Sequence, residues 1–381
     1  DLQEIIKGFI GSYTHPESYR SVYIHNGDEL HVRRKSGLTE VMSRICDEVY
    51  SLTPVINNES VNKNDITSIA QNSRNKIVGA LLRSELEPNL GLSGTGQDVS
   101  IMRSTLLRTG IWNEVGGVAQ INLRPEDESM RNMLETIENF ILEARHNGRI
   151  SFAMLYERLT SPEYHIGLRL GLIPIYIAAV MHNYRQQTVI NDRFGPVQTS
   201  VDVLVQINSD PSSFTLEYLD WNPEKERYIL RLSEAFGDYV VEAEKASNSY
   251  DYVANAMRRW YMALPKYSKE STKKPDGEKL VRRQIEIMKL LRQNSSSSDL
   301  LFKKMPEAVD SHGDYADAAT DIIAAKGVFD GLLSELKHEL IKKTKDVFLP
   351  EKDKKAGQKM SLRSEERRVG KECRSRWSPY H

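Results

Sequence analysis

The sequence predicts a mainly α-helical chain with small β-hairpins, a multi-domain helical fragment that includes a winged-helix-like module. Apolar residues recur at helical spacing in segment after segment. Short alternating runs flank Asn/Asp/Gly turns in two places, the pattern of a hairpin. Capping residues and prolines punctuate the helical segments, and no long strand pattern interrupts them. A length of 381 residues fits two or three domains.

Residues 1–124 read as a helical module with an N-terminal hairpin. The first helix covers 1–11, and 22–24 faces 30–32 across Asn26, Gly27 and Asp28. Ser36 caps a helix whose Leu38, Val41, Met42, Ile45 and Val49 would face a core, with Cys46 near that face. Pro54 stops it. After the polar run 57–64, Asp65 caps a helix carrying Ile66, Ile69, Ala70, Ile77, Ala80 and Leu81. The stretch 88–96 is a loop, and Asp98 caps a helix over 99–109 that ends at Gly110.

Residues 125–221 read as the winged-helix-like α/β module. Helices are expected over 129–145, from Ser151, and from Pro174 to His182. A hairpin of 188–190 with 197–199, a helix over 201–207 capped by Ser200, and a strand over 214–218 complete it. Residues 222–362 read as a helical C-terminal region, opened by Asn222-Pro223 and interrupted by a basic linker at 266–278. Its last helix is long and amphipathic, about 316–345.

Residues 363–381, RSEERRVGKECRSRWSPYH, match the reading frame of a common sequencing-library adapter. They are expected to be a non-native tail, and the chain a piece of a longer protein. The tail carries six Lys+Arg against three Asp+Glu, so without it the net charge moves from −1 to −4. It also carries Cys373, which leaves Cys46 as the native cysteine and fits a reducing, cytoplasmic compartment. The longest apolar run, 170–181, is twelve residues and too short to span a bilayer, so no membrane contact is expected.

Candidate chemistry is sparse. The loop 91–98, GLSGTGQD, has the glycine spacing of a phosphate-binding loop. Gln97 and Asp98 stand where that chemistry needs Lys and Ser/Thr, so it reads as a flexible turn before a capped helix. The run Asn57, Asn58, Glu59, Ser60, Val61, Asn62 and Lys63, with Arg74 and Lys76 on the next helix, reads two ways. Side-chain capping and a local salt bridge explain it structurally. Functionally it could touch a nucleotide phosphate or a neighbouring subunit. The histidines outside the tail are scattered and none has metal-ligand spacing, so no metal site is expected. Residues 150–218 hold four arginines, no lysine and six acids, which argues against a DNA reader. The segment 266–304 holds eleven Lys+Arg against five acids. Lys273, Lys274, Arg282 and Arg283 are its candidates for nucleic-acid contact, beside the plainer reading of a solvated linker.

The chain resembles the part that follows the ATPase core in very large P-loop ATPases of bacterial antiphage systems, the BREX phage-exclusion type and relatives. The motifs that carry this are PVINNESVNK at 54–63, Ser73-Arg74-Asn75-Lys76, Leu90-Gly91, the helix end 104–110, and Gly167-Leu168-Arg169 with Gly171-Leu172-Ile173-Pro174. The resemblance touches most of 40–310. It implies an ATP-dependent defence or DNA-processing parent, with ATP and Mg bound by a missing N-terminal ATPase core and not by this fragment. It implies coupling and partner contact here, other defence-system proteins among the partners, and Arg74 as a nucleotide-sensing lid arginine. The competing classes are a helical scaffold with no nucleotide link and a nucleic-acid-binding regulator using 266–304.

Overall fold

A computed structural model of the chain describes residues 2–246, 248–311 and 313–348. The expected adapter tail and His312 lie outside the described residues. The chain opens with α1 (Leu2–Thr14), α2 (Pro16–Tyr19), an antiparallel hairpin of β1 (Tyr23–His25) and β2 (Asp28–Leu30), and α3 (Lys35–Val49). Then come α4 (Ser68–Leu81) and α5 (Gln97–Met102), which continues into a π-helical turn, Arg103–Leu107. A hairpin of β3 (Trp112–Val115) and β4 (Val118–Ile121) leads to α6 (Glu128–Asn147), β5 (Ile150–Ser151), α7 (Phe152–Thr160) and α8 (Ile173–Asn183). Next are β6 (Thr188–Asp192), β7 (Gly195–Val197), α9 (Val201–Ser209) and β8 (Thr215–Tyr218). The remainder is helical: α10 (Pro223–Ala235), α11 (Ser249–Ala263), α12 (Lys266–Glu270), α13 (Arg282–Arg292), α14 (Ser297–Asp299), α15 (Met305–Ala308) and α16 (Tyr315–Phe348). The class is the expected one, mainly α with small antiparallel hairpins.

The first core is built around α8. Its sequence is apolar on every side, and residues 173–181 are all buried. Burying one Leu, Ile or Val side chain contributes roughly 1.5–3 kcal/mol, so this run makes α8 the organising helix. Pro174 sits in its first turn, where the missing N–H has no helical partner to lose. α4, α6, α9 and β4 pack around it. α6 turns in Met133, Leu134, Ile137, Phe140 and Ile141, and Asp127 caps it by accepting from Met130 N at 2.7 Å. α4 turns in Ala70, Ile77, Val78 and Leu81, and its cap is Thr67, two residues beyond the expected Asp65.

This apolar cluster runs from Ile56 to Leu216, across the expected division at 124/125. A second cluster, from Tyr228 to Leu332, is centred on α11 and enclosed by α10, α13 and α16. Trp260 lies at its heart, edge-on to Phe236 at 5.3 Å and donating to Asp330 Oδ1 at 2.7 Å. The expected division at 221/222 falls between the two clusters.

Four features differ from expectation. Residues 128–197 do follow the chain order helix, strand, helix, helix, hairpin. Their sheet, however, is ordered β5-β8-β6-β7, so β8 and not the second hairpin strand pairs with β5. α8, which a DNA-reading module would offer to a groove, is enclosed on all sides. The arrangement therefore does not establish a winged-helix module. α3 buries none of its residues, and Cys46 is exposed, not near a core, because neither apolar cluster includes a residue of this helix. The β3–β4 hairpin was not expected, since Asn113, Glu114 and Gln120 are poor strand formers. Its turn, Gly116-Gly117, has φ of 61° and 81°, which glycine supplies without strain. Finally, the 266–278 linker contains α12 and a backbone bridge between Lys273 and Lys279.

Candidate functional site

The run 54–63 is a folded element held mainly by its own amides. Asn58 Oδ1 accepts from Ser60 N at 3.1 Å and from Ser60 Oγ at 2.5 Å. Asn58 O accepts from Asn62 N at 2.9 Å, and Asn62 Nδ2 donates to Ile56 O at 3.2 Å. These are the local side-chain bonds that compete with regular structure in Asn-rich loops. Asn58 Nδ2 also donates to Ser104 Oγ at 2.9 Å, which ties the run to the π-helical turn. Val61 is fully buried beneath. Glu59 and Lys63 point outward, and neither has a side-chain partner among the described residues.

A second stretch, 165–171, is stitched to this run. Leu52 N donates to His165 O at 3.0 Å, and Thr53 Oγ1 donates to Ile166 O at 2.6 Å. Leu170 N donates to Asn64 Oδ1 at 3.2 Å, and Gly171 N to Lys63 O at 2.9 Å. Gly167, at φ 60°, lies where any Cβ would stand 2.3 Å from the Tyr50 ring. Two of the motifs singled out from sequence, a hundred residues apart, thus form one structural unit. The glycines signalled close backbone approach; which segment approached was not legible.

Arg74 is not at the surface. It is 2% exposed, and its Nε and Nη2 both donate to Asn75 Oδ1 at 3.3 Å. Burial holds its pKa below the usual value, with the Tyr156 hydroxyl region opposing weakly. No carboxylate pairs with it among the described residues. So enclosed, the guanidinium is not presented to solvent from where it stands. An unpaired buried cation contributes little to stability, so Arg74→Met is expected to leave the urea midpoint unchanged or to stabilise by about 1 kcal/mol. A loss above roughly 2 kcal/mol would show that the guanidinium holds a structural bond.

Lys76 and the glycine loop lock α4 to α5. Lys76 Nζ meets Asp98 Oδ2 at 3.0 Å, and Ser73 Oγ donates to Gln97 Oε1 at 3.4 Å. The Lys76 hydrogen bond is the main reason the Asp98 carboxyl lies below the usual carboxylate range. Gln97 and Asp98, which occupy the phosphate-loop Lys and Ser/Thr positions, are already engaged in packing.

Three clefts meet at exposed Asn57. One, about 850 Å³, lies between the 54–64 run and 167–170 and includes Asn62 and Arg169. The next, about 670 Å³, is shared with β3, the 122–127 stretch and the start of α6. The third, about 180 Å³, lies over the π-helical turn. Sequence carries no sign of this convergence, because the clefts are closed by distant stretches that include Arg169, Asn122 and Arg103.

The four basic candidates of 266–304 do not form one patch of free charge. Lys274 pairs with Glu278 at 2.6 Å. Arg283 bridges Asp310 at 3.3 Å and Asp321 at 3.1 Å. Lys273 and Arg282 are exposed, with no acidic partner among the described residues. Sequence counting missed that two of the neutralising acids come from outside the segment.

Between the two cores lies a polar cavity of about 200 Å³, lined by Thr188, Asn248, Asp251, Arg258 and Ser295 among others. Thr188 Oγ1 and Ser295 Oγ are buried there without a protein hydrogen-bond partner. Burial raises the Asp251 carboxyl to about 6, against the opposing pull of the Ser297 hydroxyl and the Arg258 guanidinium. No sequence signal marked this junction, since its residues come from four separate stretches.

No protein-family model matches the chain, and no curated protein or solved structure matches it.

Proposed function

We propose that the chain is a non-catalytic coupling and interaction module of a larger ATP-dependent phage-defence or DNA-processing ATPase, acting in the cytoplasm beside a P-loop core. The observation that carries this reading is α1. Its Ile5, Ile6, Phe9 and Ile10 share one face at helical spacing and are 47–68% exposed. None of its residues is buried. A contiguous apolar face of this kind gains free energy only by meeting another surface. The engagement of Gln97 and Asp98 in packing supports placing ATP and Mg in the partner core and not here. No helix among the described residues is long and apolar enough to cross a membrane.

The regulator reading through 266–304 is weaker, because carboxylates hold Lys274, Arg283, Lys289 and Lys303. A scaffold without an ATPase would use the same α1 face, and the sequence of the encoding gene separates the two readings. An upstream G-x-x-x-x-G-K-[ST] after an apolar strand is expected. Co-expressed with that core, the chain should co-elute with it on size exclusion, and Ile6→Asp with Phe9→Asp should weaken the complex at least tenfold. The isolated chain is expected to hydrolyse no ATP. An encoding gene without the motif, or a complex indifferent to the α1 substitutions, would end this reading.

A further inference from the structure

Arg103 and Arg108 stand at the two ends of the π-helical turn, where Arg108 N donates to Arg103 O at 2.9 Å. In an α-helix, side chains five apart point roughly 140° away from each other. An i→i+5 turn is one residue wider and swings them toward the same side, and such turns recur at functional sites. The turn is held in place from below. Ser104 is buried, donates to the Ser100 and Ile101 carbonyls at 3.0 Å, and accepts from Asn58 Nδ2. Thr105 is buried as well and donates to Ile101 O at 2.7 Å.

Both guanidinium groups are exposed, and neither has an ion-pair or side-chain hydrogen-bond partner among the described residues. Arg83, Arg124, Arg149, Arg158 and Arg259, by contrast, are each held by a carboxylate. The two free arginines line the same small cleft with Asn57, Thr95 and Ser100, and no carboxylate lines it. Asp98 is engaged by Lys76. Glu126 and Asp127 enter only in the adjoining cleft that shares Arg108.

Two planar cationic forks with an amide and two hydroxyls, gathered without a carboxylate, form a donor set for a tetrahedral oxyanion. We propose that this cleft binds a phosphate group, as a terminal phosphate or a backbone diester. The site stands or falls separately from the ATPase partner, because the chain alone binds the probe.

Calorimetric titration at low salt uses three probes: pyrophosphate, ATP and a single-stranded thymidine oligonucleotide. Arg103→Gln with Arg108→Gln is expected to weaken the bound probe at least tenfold. Arg33→Gln with Arg34→Gln, an exposed pair outside every candidate site, removes the same charge elsewhere and should change affinity less than twofold. All four side chains are exposed, and matching unfolding midpoints confirm that the variants fold. A terminal phosphate is identified if pyrophosphate or ATP binds within tenfold of the oligonucleotide. A backbone diester is identified if the oligonucleotide binds tenfold tighter with a steep salt dependence. Absence of binding by every probe, or equal losses in the two double variants, overturns the site.

Discussion

Gly171→Ala is expected to destabilise the first core by about 3 kcal/mol or more. A Cβ at this position would stand 2.2 Å from Val61 O and 2.7 Å from Lys63 O, and the Ile66 side chain is 2.8 Å away. The two nearest atoms are backbone carbonyls, which cannot swing aside as a flexible side chain does. The chain at 171 must therefore back away, and the Gly171 N to Lys63 O bond breaks with it. The neighbouring bond from Leu170 N to Asn64 Oδ1 is loosened by the same displacement. Gly237 is the control, since nothing lies within 4 Å of its Cβ position. Gly237→Ala should fall within about 0.5 kcal/mol of the parent. Urea unfolding of the three proteins gives the comparison, and a Gly171→Ala midpoint matching the parent would refute the close approach.

The second large effect is pH-dependent. The Asp251 carboxyl is raised from 3.8 to about 6 in the folded chain, chiefly by burial at the junction between the cores. A folded value above the unfolded one means that the folded state binds more protons between these limits. Stability from this group is therefore full below about pH 4 and is lost as pH rises through about 6. The loss is of the order of 3 kcal/mol, from the size of the shift. Asp98, Glu244 and Asp299 are lowered by hydrogen-bonded cations and act in the opposite sense, so the parent alone does not isolate the term. The difference between the parent and Asp251→Asn does. The variant should gain on the parent by roughly 2–3 kcal/mol between pH 4 and pH 7. A difference that stays flat across that range would place Asp251 in contact with water.

Much of the helical architecture was legible, for physical reasons that particular residues show. The α8 segment is apolar on all sides, so its burial followed from composition. Ser200 and Asn222 each cap the helix they were expected to cap, because a side-chain oxygen before an apolar run has a local task. Other features depend on distant partners. The amphipathic face of α3 predicted burial, but amphipathicity states only that a face is available, and here little covers it. Arg74 looked like a surface cation because nothing local reveals that α4 turns it inward. The π-helical turn was invisible, since Ser104 and Thr105 carry no sign that the ring closes at five residues. The candidate site was half legible. The 54–63 run stood out, whereas Arg103 and Arg108 drew no notice within an ordinary helical pattern.

The stitch between 49–64 and 165–171 also orders events in time. Its bonds join Thr53 to Ile166, Asn64 to Leu170 and Val49 to His165, with sequence separations of 113, 106 and 116 residues. Contacts of such range form late, because a long loop must close before any of them is gained. On a ribosome adding 5–20 residues each second, the earlier stretch waits roughly 5 to 20 s for its partner to be made. Through that interval the nascent 49–64 edge and the apolar face of α1 are both uncovered. A partner protein present during translation would meet a larger adhesive surface than the finished chain offers.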